Sequence, residues 1–145
     1  MNDIAIAILK FNSYCTLATA SADGEPWGSP VHFAFDKKNI YWVSHGQAIH
    51  SVNLRQNPRV FITIFDSRQA AETLGDRGAV YISTQATKLS GDGAMAARDV
   101  YSGRYPDDNS RKMADWEIYS APIGTIDEVK SKGQRIYLMY TEHKT

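Results

Sequence analysis

The chain has 145 residues, 43% of them hydrophobic and 22% charged, which is the make-up of an ordinary globular protein with one core. Sixteen basic residues balance sixteen acidic ones, so no net field draws the chain to nucleic acid or to an anionic membrane. The lone cysteine excludes an internal disulfide, and neither a membrane-length apolar run nor a basic leader is present, so one cytoplasmic domain over residues 1–145 is expected.

Asn2 or Asp3 can cap a first helix carrying Ile4, Ile8 and Leu9, with Asn12 and Ser13 ending it. Residues Cys15 to Asp36, CTLATASADGEPWGSPVHFAFD, read as two strands joined at Ala22-Asp23-Gly24-Glu25-Pro26. Asp-Gly there supplies the left-handed backbone of a tight hairpin. Along the second strand Ser29, Val31, Phe33 and Phe35 alternate with Gly28, Pro30, His32 and Ala34. Pro30 cannot donate to a ladder, which predicts an edge strand or a bulge. Cys15 is expected as a buried thiol that behaves as a small hydrophobe.

Asp36 to Asn39 turns the chain into a third strand, Ile40 to Ser44, which His45-Gly46 breaks. Gln47 to Gln56 predicts a helix with Ile49, Val52 and Asn53 toward the sheet, stopped by Pro58. Arg59 to Phe65 is nearly all apolar or β-branched and reads as a strand buried on both faces. After a loop ending in Gly75-Asp76-Arg77-Gly78, Ala79 to Leu89 predicts a long strand with Val80, Ile82 and Thr84 opposite Tyr81 and Ser83. A short helix is expected over Ala94 to Ser102 and a polar loop over Pro106 to Ser110. Two last strands follow, Trp116 to Asp127 with a break at Pro122-Ile123-Gly124, and Gln134 to Tyr140 after a turn at Lys130 to Gly133. Strands separated by turns, with only short helices, give a mainly-β antiparallel barrel with helical decoration.

Motifs of self-sufficient catalysis are missing: there is no G-x-S-x-G, P-loop or G-x-G-x-x-G. The four histidines have no zinc spacing and no cysteine partners. Trp27, Trp42 and Trp116 are expected in the core or at an interface, and the paired acids Asp107-Asp108 and Asp127-Glu128 in solvated turns. This silence fits a protein whose cofactor carries the chemistry, and equally a non-catalytic binder.

Several fragments follow one another in a familiar order: Leu17-Ala18-Thr19, the D-G-x-P turn at Asp23 to Pro26, Ser29-Pro30-Val31, and N-L-x-x-N-P-R-V from Asn53 to Val60. Ala86 and Tyr101-Ser102-Gly103-Arg104-Tyr105-Pro106 complete the series, which spans most of the chain. The pattern resembles the FMN-binding split-barrel family related to pyridoxamine 5'-phosphate oxidase. That resemblance implies a six- or seven-stranded antiparallel split β-barrel with short flanking helices. It also implies a homodimer with a cofactor site shared between subunits, FMN as the cofactor, and an FMN-dependent oxidoreductase acting on a small molecule.

The resemblance further implies that the second strand runs along the flavin ring at Ser29 and Val31. Val43, Ser44, His45, His50 and Ser51 would then approach the ribityl phosphate. Aligned on Asn57-Pro58, the family's basic pair falls on Ile49 and His50, so phosphate contact is expected to be weaker and to follow the charge of His50 between about pH 6 and 8. Thr84 stands where relatives often have glycine, and no tryptophan follows Pro122. Two alternatives stay open: a non-catalytic dimer binding flavin, or haem through His32, His45 or His50, and a relative whose cofactor site has decayed.

Overall fold

In a computed structural model that describes residues 3–66, 78–109, 116–123, 129–131 and 135–139, the chain begins with α1 (Asp3–Phe11) and the hairpin β1 (Tyr14–Ala20) and β2 (Pro26–His32). Then come β3 (Ala34–Phe35), β4 (Asn39–His45), α2 (Ile49–Gln56), β5 (Arg59–Phe65), β6 (Ala79–Gln85) and β7 (Thr87–Lys88). The last elements are α3 (Gly91–Arg104), β8 (Trp116–Pro122), β9 (Val129–Ser131) and β10 (Arg135–Met139). The strands form a six-stranded sheet, β2-β1-β5-β6-β10-β9, and a four-stranded sheet, β3-β4-β8-β7.

The mainly-β, short-helix architecture is the one expected, but the strand count is not. Ten strands stand in two open sheets among the described residues, where six or seven in one barrel were expected, and β10 runs parallel to β6. The difference has a physical source, because two of the expected strands bend and change sheet. β2 stops at His32, Phe33 is fully buried at the crossing, and the chain joins the four-stranded sheet as β3. Ala34 is consequently buried near α3 and does not continue the outward face of β2. The expected strand Ala79 to Leu89 divides at Ala86, whose N–H turns away to the Pro58 carbonyl at 2.8 Å. β9 occupies part of the expected Lys130 to Gly133 turn, while Gly75 to Arg77, Gly124 to Asp127 and the tail with His143 lie outside the described residues.

Local chemistry sets the hairpin. Gly24 adopts φ +83°, the Gly24 N–H donates to the Ser21 carbonyl at 3.0 Å, and Ser21 Oγ accepts from the Glu25 N–H at 3.0 Å. β2 is an edge strand, so Pro30, paired with Thr16, leaves no central ladder broken.

Leu17, Phe33, Trp42, Ile62, Ile82 and Tyr119 fill the space between the sheets, with Ile8 and Leu9 of α1. Trp42 stacks on its cross-strand partner Tyr119, centroids 5.6 Å apart and planes 5° from parallel. On its other face the four-stranded sheet packs Tyr41, Val43 and Ile118 against Ala97 and Tyr101 of α3. β5 is not buried on both faces as its composition suggested: Val60, Ile62 and Ile64 enter the core, while Phe61 and Phe65 are exposed. Only its inner face meets the second sheet. Cys15 is buried as expected, and burial pushes its thiol up to about 12.

Candidate functional site

The short helix α2 decides the geometry of the site, and it is turned from the expected orientation, with Asn53 inward as expected but Ile49 and Val52 outward. Ile49 and Val52 are 47% and 37% exposed, whereas His50, Ser51, Asn53 and Leu54 are buried. Both stripes, 49-52-53 and 50-53-54, have helical spacing. Leu54 anchors the second in the core, and Asn53 Nδ2 donates to Thr19 Oγ1 of β1 at 3.0 Å. Leu54 and the Asn53–Thr19 hydrogen bond therefore bind this helix to the sheet, and Ile49 and Val52 are left outside.

Between β2, β4 and the start of α2 lies a cleft of about 480 Å³. Val31, Val43, Ser44, His45 and His50, five of the residues singled out in the sequence, share its lining. Ser29 is half-buried on β2 and Ser51 fully buried on α2, and neither lines the cleft. The remaining walls come from Tyr14, Pro30, His32, Ala48, Tyr101, Asp108 and Trp116. Trp116 is the tryptophan that reaches the site, since Trp42 is core and Trp27 is exposed.

The electrostatics of the cleft are unlike those of a dianion site. His50 Nε2 and Ser44 Oγ are 2.8 Å apart, and burial pushes the His50 pKa below its ordinary value, so the imidazole is neutral at pH 7. Without a ligand, burial thus works against the charged His50 on which the expected pH dependence between about 6 and 8 relies. No lysine or arginine lines the cleft among the described residues, and its carboxylate, Asp108, accepts from Tyr101 Oη at 2.8 Å. Burial and that carboxylate push the Tyr101 phenol up, which keeps it a donor. For an anion the cleft offers neutral donors: Ser44, His50 and the first turn of α2, whose N-cap residue Ala48 makes no side-chain cap.

The three imidazoles differ in what they have free. His45 Nδ1 accepts from the Gln47 amide at 3.1 Å, which places the proton of the neutral ring on Nε2, and the ring stands edge-on to Trp116 at 6.2 Å. His50 Nε2 is engaged by Ser44. His32 lies 4.0 Å from the Tyr14 ring and 5.2 Å from that of Tyr105, with neither ring nitrogen hydrogen-bonded among the described residues.

The segment Tyr101 to Pro106, conspicuous in the sequence but without an assigned role, proves to be a clamp. Arg104 Nη2 donates to the carbonyls of Leu9, Lys10 and Asn12, capping the end of α1, and its guanidinium sits 4.7 Å over the Phe33 ring. Tyr105 Oη reaches the Phe33 carbonyl at 2.7 Å and the Ser13 carbonyl at 3.0 Å. The clamp holds the strand crossing, and with it His32 at the cleft mouth. Thr84 is buried and donates to the Pro122 carbonyl at 2.8 Å.

No group of three or more metal-ligating side chains occurs among the described residues, and none of their helices is long and apolar enough to cross a membrane. Among solved structures the chain is similar to HutZ, the haem storage protein of Vibrio cholerae, at 20% identity and a TM-score of 0.72, covering 81% of this chain and 86% of that one. It is similar to an FAD-binding protein of Mesorhizobium loti at 20% identity and a TM-score of 0.65, with 83% and 86% covered. A haem-binding protein of Mycobacterium smegmatis matches at 24% identity and a TM-score of 0.66; 81% of this chain is covered, but it spans about half of that protein (49%). No curated protein matches. At these identities the likenesses show the fold alone. The family model for pyridoxamine 5'-phosphate oxidase matches residues 4–132, nearly the whole sequence, and the chain belongs to that family.

Proposed function

We propose that the chain binds FMN in the cleft between β2 and β4 and acts as an FMN-dependent oxidoreductase on a small molecule. The observation that carries this reading is the convergence of Val31, Val43, Ser44, His45 and His50 on one cleft walled by the rings of Tyr14, His32 and Trp116. A flat heterocycle suits such walls, with Pro30 to His32 along one edge. Ser44, His50 and the uncapped start of α2 are the proposed donors to the ribityl phosphate, while Ser29 and Ser51 stay outside the first contacts. Bound flavin supplies the electron-transfer chemistry, and the chain binds and orients it.

The proposed assembly is a homodimer in the cytoplasm, with the chain as one domain. Thr16, Ala18, Gly28, Pro30 and Phe61 share the outward face of the six-stranded sheet by register, a face of small and aromatic residues that leads into the cleft at Pro30. A second copy covering it would enclose the cofactor from the open side.

One observation favours a second reading, haem binding: three imidazoles share a cleft without a permanent cation. His32 would then be the residue to hold the haem iron, because it alone of the three has both ring nitrogens free of hydrogen bonds among the described residues. Absorption spectra of the purified protein, as isolated and after adding FMN or haemin, decide between them. Retained flavin that NADH or a similar donor reduces supports the first reading. A Soret band lost in His32→Ala supports the second. Colourless protein that takes up neither overturns both and leaves a relative with a decayed site.

A further inference from the structure

On the far side of the His45–Trp116 pair lies a second cavity, of about 570 Å³, bordered by β7, β8 and α3. His45 and Trp116 line both spaces, so one edge-on ring contact divides them. The chemistry on the two sides differs. Where the cleft has no permanent cation among the described residues, this cavity has Lys88 and Arg98, with Glu117 as its carboxylate.

Lys88 Nζ stands 2.9 Å from Glu117 Oε1, and the other Glu117 oxygen accepts from Tyr119 Oη at 2.6 Å. Partial burial works against ionisation of Glu117, but the hydrogen bonds from Tyr119 and Lys88 prevail and hold its carboxyl below the usual range. That pair is electrically closed, and Arg98 is not. Its Nη2 donates to the Trp116 carbonyl at 3.1 Å, its Nη1 is buried with no acceptor, and no carboxylate pairs with it among the described residues. A buried guanidinium N–H without an acceptor is rare and unfavourable. An oxyanion in the cavity supplies the missing counter-charge to Arg98, in the planar geometry that a guanidinium fork prefers.

We propose that this cavity is an anion subsite, in which Arg98 receives the phosphate or carboxylate group of a small molecule, with His45 Nε2–H as the neighbouring donor. The carbonyl of Trp116 holds the guanidinium in place, so the anion meets a group already oriented. The same ring pair ties the subsite to the cleft, so an anion seated here lies next to whatever occupies the cleft. The subsite itself does not depend on the identity of that occupant.

Calorimetric titration of inorganic phosphate, FMN and riboflavin into the native chain, Arg98→Gln and Gln47→Glu tests the assignment. Gln47 is an exposed residue on the lining, so a carboxylate there opposes an anion without disturbing the core. Phosphate should bind the native chain, and each substitution should weaken it about tenfold or more. If the anion is the flavin's own phosphate, Arg98→Gln weakens FMN by the same factor and leaves riboflavin unchanged, and FMN-loaded protein no longer takes up phosphate. If it belongs to a separate molecule, FMN-loaded protein binds phosphate as the free protein does. Arg98-dependent phosphate binding in a chain that refuses flavin would uphold the subsite and overturn the flavin reading alone. Phosphate affinity equal in all three proteins, or absent from the native chain at millimolar phosphate, overturns the subsite.

Discussion

His50 of α2 and Ser44 of β4 meet through Nε2 and Oγ at 2.8 Å, a buried polar contact that ties the helix to the strand at the edge of the cleft. It fixes one partner of each element at once. The direction of the His50 pKa shift turns the contact into a measurable property.

Burial lowers the His50 pKa in the folded chain below the 6.5 it has when exposed. A depressed folded-state pKa means stability that is complete above about pH 6.5 and lost as pH falls toward the folded value. The urea midpoint should therefore decline on acidification below pH 6.5. His50→Gln, which can still hydrogen-bond Ser44 but cannot titrate in this range, should decline less steeply. Identical slopes for the two proteins would show that His50 is not held neutral by the fold.

The Asn53–Thr19 hydrogen bond, buried and joining α2 to β1, should be worth about 1 kcal/mol in a double-mutant cycle. Asn53→Ala alone should be worse than the double replacement with Thr19→Val, because the single change strands the Thr19 hydroxyl. Additive effects measured by denaturant unfolding would mean that Leu54, and not this bond, sets the helix orientation.

Arg104→Ala removes the cap on α1 and the cation from above Phe33 together, and should destabilise the chain by about 2–3 kcal/mol. Arg104→Lys should recover only part of this, since an ammonium lacks the planar fork that serves several carbonyls. Complete recovery by lysine in thermal or urea unfolding would contradict the clamp.

Phe61 is a large exposed residue on the outward sheet face proposed for the dimer, beside Ala18 in register. Sedimentation at micromolar concentration should find a dimer for the native chain, burying on the order of 2,000 Å² in total, and a monomer for Phe61→Glu. A monomeric native chain removes the proposed interface.

Local signals in the sequence carried the hairpin, the edge position of Pro30, β4 and the alternation of β6, because Asp-Gly turns and period-two patterns depend on near neighbours. The bends at Phe33 and Ala86 left no such trace. Each lies within an unbroken run of strand-forming residues, and only the partner strands decide which sheet the chain joins. α2 was ambiguous for another reason, since two stripes had equal spacing and a polar one won through Thr19, far away in sequence. The resemblance drew attention to Val31, Val43, Ser44, His45 and His50 in the cleft. Tyr14, Tyr101, Asp108 and Trp116 join them through tertiary contacts alone, for which no spacing rule exists.

The pairing of His45 with Trp116 joins opposite halves of the chain and bears on how the molecule is made. β1 finds β2 across a short turn, but β4 finds β8 only after about half of the sequence has been closed into one ring. Such distant pairing is entropically the last to be rewarded. The wall between the cleft and its neighbouring cavity is thus expected to form late in folding. A partly folded chain still lacking the β4–β8 pairing has no place for a ligand, and occupancy of either cavity reports completion of the fold.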